Sequence, residues 1–453
     1  MGQNIILPHG WNWATIGDVI GKIPLTGRKL PQGNYSETGK YPVIHQGQQF
    51  IGGYTDEELS VPCELPVIIF GDHTRVIKYI NFPFVAGADG VKVLKPSSVF
   101  FPKLFYYFLQ AIELPNKGYA RHFQFLEREF IPLPPLPEQK RIVAKIEALF
   151  TQLEAGMAAL RRVQAGLKRY KTSVFKAAVE GRLVAQNPSD EPASELLRRL
   201  GKSLMVGDGL PSLPDGWQWV SFSEIITLLK NGYFYGRPAT EPPGIPILRI
   251  SAVRPLSVNF DEPRYIPDVN EKDVKDYFLE KGDLLFTRYN GNKSLVGACG
   301  LVGELHKRVL YPDKLIRVKV DEQIVLPNYA QVYFATQTAR NFIESRIKST
   351  AGQHGIAGGD IKSIPFILPP LEEQHRIVAE VEQRLSVVHE IETVVSASLA
   401  RAGRLRQAIL KQAFEGKLVA QNPEDAQAEA LIEKPNETEK TDLKEDYTQA
   451  RLF

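Results

Sequence analysis

Apolar residues fall at Ile142, Ile146, Leu149, Leu153, Leu160, Val163, Leu167, Tyr170 and Val174, in steps of three and four with one gap at Gly156. That spacing is the heptad seam of a long amphipathic helix. A second seam runs through Ile377, Val381, Val388, Ile391, Val395, Ala402, Leu405 and Ile409; Arg384 and Ser398 interrupt it, with Leu385 and Leu399 one residue along. Pro134, Pro135 and Pro137 turn the chain away from helix just before the first seam, and no proline follows until Pro188. Glu138 then sits in the first turn, where the helix dipole favours an acid. The pattern predicts helices over 138–181 and 373–416, each about 65 Å long at about 1.5 Å per residue. Neither can bury its stripe alone. The simplest solution is that the two pack on each other; the alternative is that each only roofs its neighbouring domain.

The two seams belong to an internal repeat. Leu133-Pro134-Pro135-Leu136-Pro137-Glu138-Gln139-Lys140-Arg141-Ile142-Val143-Ala144 returns as Leu368-Pro369-Pro370-Leu371-Glu372-Glu373-Gln374-His375-Arg376-Ile377-Val378-Ala379. Glu180-Gly181-Arg182-Leu183-Val184 returns as Glu415-Gly416-Lys417-Leu418-Val419, at the same offset of 235 positions. A further repeat, Leu7-Pro8-His9-Gly10-Trp11-Asn12-Trp13 and Leu213-Pro214-Asp215-Gly216-Trp217-Gln218-Trp219, opens a globular unit before each helix. The expected order is a first unit over 1–132, a long helical region over 133–188, and a linker over 189–212 with a short helix at Glu191–Leu200. A second unit over 213–367, a second helical region over 368–423 and an acidic tail over 424–453 follow, the tail disordered after about Glu433.

Within the units, strand-like runs at Tyr41–His45, Leu65–Phe70 and Val91–Leu94 precede an apolar helix at Phe101–Ile112. The second unit repeats the plan with Ile245–Ile250, Asp283–Thr287, Leu315–Val320 and a helix over Tyr329–Ile347. Both units read as α+β. The loops after matching strands are rich in Arg, Gln, Asn, His and Lys. Arg and Lys pair with guanine edges, and Asn and Gln with adenine edges. A single such residue is more simply a solvated loop residue, but the set recurs at corresponding places. It comprises His45, Gln46, Gln48, Gln49, His73, Thr74, Arg75, Lys117, Tyr119, Arg121 and His122 in the first unit. In the second it comprises Arg237, Arg249, Arg254, Arg288, Tyr289, Asn290, Asn292, Lys293, Gln353 and His354.

Charge adds little. The net charge of +3 divides into −5 over the last thirty residues and +8 over the rest, compatible with a polyanionic partner. Cys63 and Cys299 form no metal-ligand spacing and no disulfide framework, which fits a reducing, cytoplasmic setting. Met1 to Pro8 lack the features of a secretory signal, and no stretch reads as a membrane span. The sequence holds no Walker-type loop, no Gly-x-Gly-x-x-Gly after a strand, no His-Glu-x-x-His, no Cys-x-x-Cys and no Asn-Pro-Pro-aromatic tetrapeptide. Asp72 with His73, or Asp313 with Lys314, are pairs of a kind that arises by chance, so no catalytic residue, metal site or cofactor site is expected.

The boundary phrase Leu-Pro-Pro-Leu-x-Glu-Gln-x-Arg-Ile-Val-Ala combines with a helix end of Phe-x-Gly-(Lys/Arg)-Leu-Val, seen as Phe414-Glu415-Gly416-Lys417-Leu418-Val419; the first copy departs only at Val179. Gly355-Ile356-Ala357-Gly358-Gly359-Asp360-Ile361 precedes Ile364-Pro365. On these residues, nearly the whole chain resembles the specificity subunit of Type I restriction-modification enzymes. The resemblance implies two target-recognition domains, each reading half of a split sequence in double-stranded DNA. The long helices would pair as an antiparallel coiled coil and dock two methyltransferase subunits, with Glu138, Gln139, Arg141, Glu373, Gln374 and Arg376 expected at that docking surface. S-adenosylmethionine would belong to the methyltransferase, and ATP with Mg to a restriction and translocase subunit. The alternatives are a reader for a methyltransferase-only or other defence system, and a scaffold holding two protein-binding modules.

Overall fold

A computed structural model describes residues 6–425, apart from Pro62, Asp89, Asn116, Tyr119, 206–208 and Ala351. The acidic tail beyond Asp425, and with it the expected disorder after Glu433, lies outside the described residues. The chain divides into two compact units that cut across its linear order. One comprises residues 1–161 with 396–453, the other residues 162–395. Each long helix contributes one half to each unit.

The predicted helices are Leu136–Val179 and Leu371–Phe414, 44 residues each. Both end on a left-handed glycine, Gly181 at φ +67° and Gly416 at φ +70°. Past these glycines, Arg182 N donates to Ala177 O at 3.0 Å and Lys417 N to Gln412 O at 2.8 Å. These are the six-to-one bonds that close a helix end around a residue without a Cβ.

In the first unit, Ile142, Val143, Ile146 and Phe150 from the start of the first helix share a core with Ile409, Leu410 and Ala413 from the end of the second. In the second unit, Val174, Phe175, Ala178 and Val179 share a core with Ile377 and Val381. Start therefore packs with end in each case, so the helices pair antiparallel, and each also seals the core of a globular domain. The expected pairing holds, and the alternative that each helix only roofs a domain does not. Glu154 and Arg406 bridge the pair at 3.2 Å, as do Lys171 and Glu392 at 2.8 Å. Arg384, which breaks the second seam, pairs with Glu380 one turn back at 2.6 Å. The middle of the predicted seam differs from expectation: Val163, Tyr170, Ile391 and Leu405 are exposed.

The globular part of the first unit holds two four-stranded sheets. One is ordered Ile20–Lys22, Val91–Pro96, Val67–Gly71, Ile77–Ile80, and the other Lys29–Leu30, Val85–Gly87, Tyr41–Ile44, Gly53–Thr55. Helix Pro102–Ala111 covers the first. In the second unit the main sheet is ordered Ile226–Asn231, Leu315–Val320, Leu284–Thr287, Cys299–Leu301. The single helix expected over 329–347 is two, Pro327–Phe334 and Gln337–Arg346, because Thr336 stops the first and caps the second, accepting from Ala339 N at 3.3 Å.

The repeated phrases clip each domain shut. Asn12–Thr15 pairs antiparallel with Phe130–Leu133, and Gln218–Ser221 with Pro365–Leu368. Trp11 Nε1 donates to Glu138 Oε2 at 2.9 Å, and Trp217 Nε1 to Glu373 Oε2 at the same distance. Gln139 bridges Phe101 N, Val99 O and Pro134 O, and Gln374 bridges Leu326 N, Ile324 O and Pro369 O. These four residues were expected at a docking surface. They are instead almost fully buried: Glu138, Gln139, Glu373 and Gln374 stand at 2%, 0%, 1% and 0% exposure. Burial, opposed by the tryptophan N–H, raises the pKa of Glu138 and of Glu373 above the usual carboxylate value. Arg141 and Arg376 are about a third exposed, but both are engaged within the chain, by Asp425 and Asp190.

Candidate nucleic-acid interface

In the first unit, buried strand Val67–Gly71 delivers a tight turn over Asp72–Arg75, closed by Gly71 N to Val76 O and Arg75 N to Gly71 O, both 2.8 Å. Arg75 takes the left-handed conformation at φ +60°. Three further segments meet at this turn. Gln46 accepts from Thr74 Oγ1 at its carbonyl, 2.5 Å, and from His73 N at its amide oxygen, 3.2 Å. Asp72 N donates to Gly90 O at 2.6 Å. Asp72 O accepts from His122 N at 2.8 Å, and Asp72 Oδ1 from Phe123 N at 2.8 Å. Segments 45–50, 71–76, 87–90 and 120–123 thus form one surface rather than four separate loops.

Several expected reading residues build that surface from within. His122 is fully buried, its Nδ1 3.1 Å from Asp72 O. The half-buried His45 ring lies between Gly47 and Gly52, where a Cβ at either glycine would come within 2.6 Å of it. Burial, then the charge of Lys78, lowers the pKa of His45. Arg75 donates from Nη1 to Leu114 O at 3.1 Å. His122 is therefore corrected from a base contact to a structural residue, and His45, Gln46 and Arg75 act first in shaping the surface. Thr74, Gln48, Gln49, Lys117 and Arg121 remain exposed, while Tyr119 lies outside the described residues.

Sequence reasoning missed the basic groove beside these loops. It has a volume of about 880 Å³, and its charged lining is Lys22, Lys29, Lys92 and Arg121 against Asp72 and Glu127, with Phe123 in its wall. The Lys22 and Lys92 ammonium groups lie 5.3 and 5.6 Å from the centre of the Phe123 ring. Lys22 also pairs with Glu127 at 2.7 Å. The lysines are spread over three strands, Ile20–Lys22, Lys29–Leu30 and Val91–Pro96, so no local cluster in the sequence marks them. Such a groove suits a phosphate backbone.

In the second unit, the buried strand Leu284–Thr287 leads into Arg288 and a two-residue strand, Tyr289–Asn290. That strand pairs with Gln353–Gly355, which pairs in turn with Lys348–Thr350. The two loops expected to act together are thus one small sheet. The Tyr289 ring packs over Gly355, where a Cβ would meet it at 2.5 Å. Arg288 stacks on Tyr289 at 4.7 Å and donates from Nη1 to Asp313 O at 3.4 Å. Asn290 Oδ1 accepts from Asn292 N at 2.9 Å, and Asn292 Oδ1 from Ser294 N at 3.0 Å. These are the local side-chain turns that Asn favours. Asn292, Lys293 and Gln353 are exposed, His354 is half-buried against Ser349, and Arg237 stands exposed on another loop. Arg249 pairs with Glu262 at 3.1 Å, and Arg254 donates to Val253 O on the hairpin Val253–Arg254 with Ser257–Val258. The convergence is therefore of 288–293 with 348–355. Among the described residues no His, Cys, Asp and Glu cluster could hold a metal, and no helix is long and apolar enough to cross a membrane.

Comparison with known proteins places this geometry. The family model for the Type I restriction modification DNA specificity domain matches residues 8–159 and 214–397. The EcoKI specificity subunit of Escherichia coli K12 is 38% identical over 313 residues, 67% of this chain and 62% of that protein. The StySPI specificity subunit of Salmonella potsdam is 30% identical over 312 residues, again 67% and 62%. The alignments thus span just over six-tenths of these curated relatives. A chain solved in a structural study of complex assembly and conformational transition of the type I R-M system superposes with a TM-score of 0.58 at 19% identity, covering 91% of this chain and 99% of that one. That likeness speaks to the fold. With both domains matched, the protein belongs to the Type I restriction-modification DNA specificity family.

Proposed function

We propose that this chain is the non-catalytic, sequence-reading subunit of a cytoplasmic Type I restriction-modification complex. Each unit carries a target-recognition domain that reads one half of a bipartite duplex target. The observation that carries this reading is the paired match of the DNA specificity family to both domains, each of which gathers its polar loops into one surface beyond a buried strand.

The proposed partners are two methyltransferase subunits, which would bring S-adenosylmethionine, and restriction subunits, which would bring ATP and Mg. Support for docking on the helices comes from an apolar stripe in the second unit. Val387, Ile391 and Val394 are 52%, 38% and 64% exposed at helical spacing. An exposed apolar stripe of this kind marks an interaction surface more often than a solvated one. The experiment is co-expression with the methyltransferase subunits, size-exclusion and mapping of N6-methyladenine. Co-elution and methylation at a split target are expected. A chain that methylates DNA unaided would overturn the non-catalytic assignment.

A further inference from the structure

Lys78 lies on strand Ile77–Ile80 and is only 3% exposed. An isolated buried ammonium is costly unless its hydrogen bonds are met. Here the side chain crosses to the neighbouring loop and donates to His45 O at 2.7 Å, Gln49 O at 2.5 Å and Phe50 O at 3.3 Å. An ammonium has three donors, and this loop alone supplies three acceptors. Without the ammonium, the carbonyls of His45, Gln49 and Phe50 would each lose that hydrogen bond. The inner side of the loop is filled by the His45 ring between Gly47 and Gly52. Its outer side carries Gln48 and Gln49, both exposed.

We propose that Lys78 is a positioning residue for the first reading surface, holding loop 45–50 in the conformation that aims Gln48 and Gln49 and so setting which bases the first half-site accepts. The proposal rests on the sequence-reading function above. Lys78 itself touches no DNA; it acts through the loop. The second unit has an analogous device of different chemistry: Arg340 donates from Nη1 to Val296 O at 2.6 Å and from Nη2 to Lys293 O at 2.9 Å, beneath loop 288–297.

The charge on Lys78 gives a readout that a general stabilising role lacks. Burial pushes its pKa down from the usual 10.5 to about 8. The titratable groups around it are His45 on the held loop, already neutral above its lowered pKa, and Tyr79 on the next position of the strand, which feels Lys103 and Glu147. Between about pH 8 and 10.5 the unfolded chain keeps the Lys78 proton and the folded chain releases it. From this group, folding stability therefore rises with pH, while the loop loses the cation under it. The two effects have opposite signs.

The test uses the full chain with its co-expressed methyltransferase subunits and a pool of randomised duplex DNA, read by enrichment sequencing. Wild type should enrich two specified blocks. Lys78→Met should lower base preference in the block read by the first unit about tenfold, the scale of one lost base contact, and leave the other block unchanged. Lys78→Arg should retain the preference. Ile80→Val, a core change in the same unit, should lower the melting temperature without altering either block. Wild type should also lose first-block preference between about pH 7 and about pH 9.5, and Lys78→Arg should not. If Lys78→Met fails to fold, the wild-type pH series decides. An unchanged first block in folded Lys78→Met, equal losses in both blocks, or a pH-independent first block would overturn the proposal. A wild type that enriches no two-block motif would overturn the sequence-reading function, and this inference with it.

Discussion

Arg376 donates from Nη1 and Nη2 to the two carboxylate oxygens of Asp190, at 3.5 and 2.5 Å. Asp190 lies past the end of the first long helix, and Arg376 in the first turns of the second. Arg141 and Asp425 repeat the arrangement at 3.3 and 2.6 Å. Both members of one pair are displaced by 235 positions from those of the other, with arginine and aspartate on opposite sides of the repeat. Each unit is thus closed by the segment following the other helix. The aspartates are nearly buried and the arginines about a third exposed. A double-mutant cycle of Arg376→Ala with Asp190→Ala should give a coupling energy of about 1 kcal/mol, read from thermal unfolding. Additive losses would mean that the pair contributes nothing specific.

Gln374 fixes the start of the second helix through three hydrogen bonds, to Leu326 N, Ile324 O and Pro369 O, all inside the domain. Gln374→Leu leaves a buried donor and two buried acceptors unmet. The expected cost is about 2–3 kcal/mol, seen as a lower melting temperature. Gln139→Leu should behave alike. A loss below about 0.5 kcal/mol, the scale of a surface change, would contradict the buried role.

The helices, their equal length and the doubled domains were legible in the sequence because periodicity and repeat are local signals. The role of Glu138, Gln139, Glu373 and Gln374 was not. Their polarity and place at a helix start read as surface, and their partners lie between 5 and 156 residues away along the chain. The polar loops were legible as segments, and the structure brings several of them together. Which of their side chains face inward was hidden, since His45 and His122 look like Gln48 and Arg121 until Gly47, Gly52 and Asp72 close around them. Lys78 carried a misleading signal, as a lysine in a strand ordinarily marks a solvated face.

Arg288 joins the buried strand Leu284–Thr287 to the small sheet that begins at Tyr289, and stacks on Tyr289. Arg288→Ala should lower affinity for the matched target by about 1–3 kcal/mol more than for random duplex, measured by titration of both DNAs. An equal loss on both would make Arg288 a backbone contact.

The basic groove predicts the converse. Lys29 and Lys92 line it with no base-reading loop of their own. Substituting either by alanine should weaken binding to all sequences alike and reduce the salt slope of log K by about 1. A change of sequence preference in either variant would move these lysines from phosphate to base.

In the proposed function, two modules each read one half of one target. The most direct measurement is enrichment sequencing on randomised duplexes, with the methyltransferase subunits present. The wild-type chain is compared with a chimaera in which residues 7–132 come from another family member. Two specified blocks separated by an unspecified spacer are expected, with one block changed in the chimaera and the other retained. A single continuous motif, or a chimaera in which both blocks change together, would contradict it.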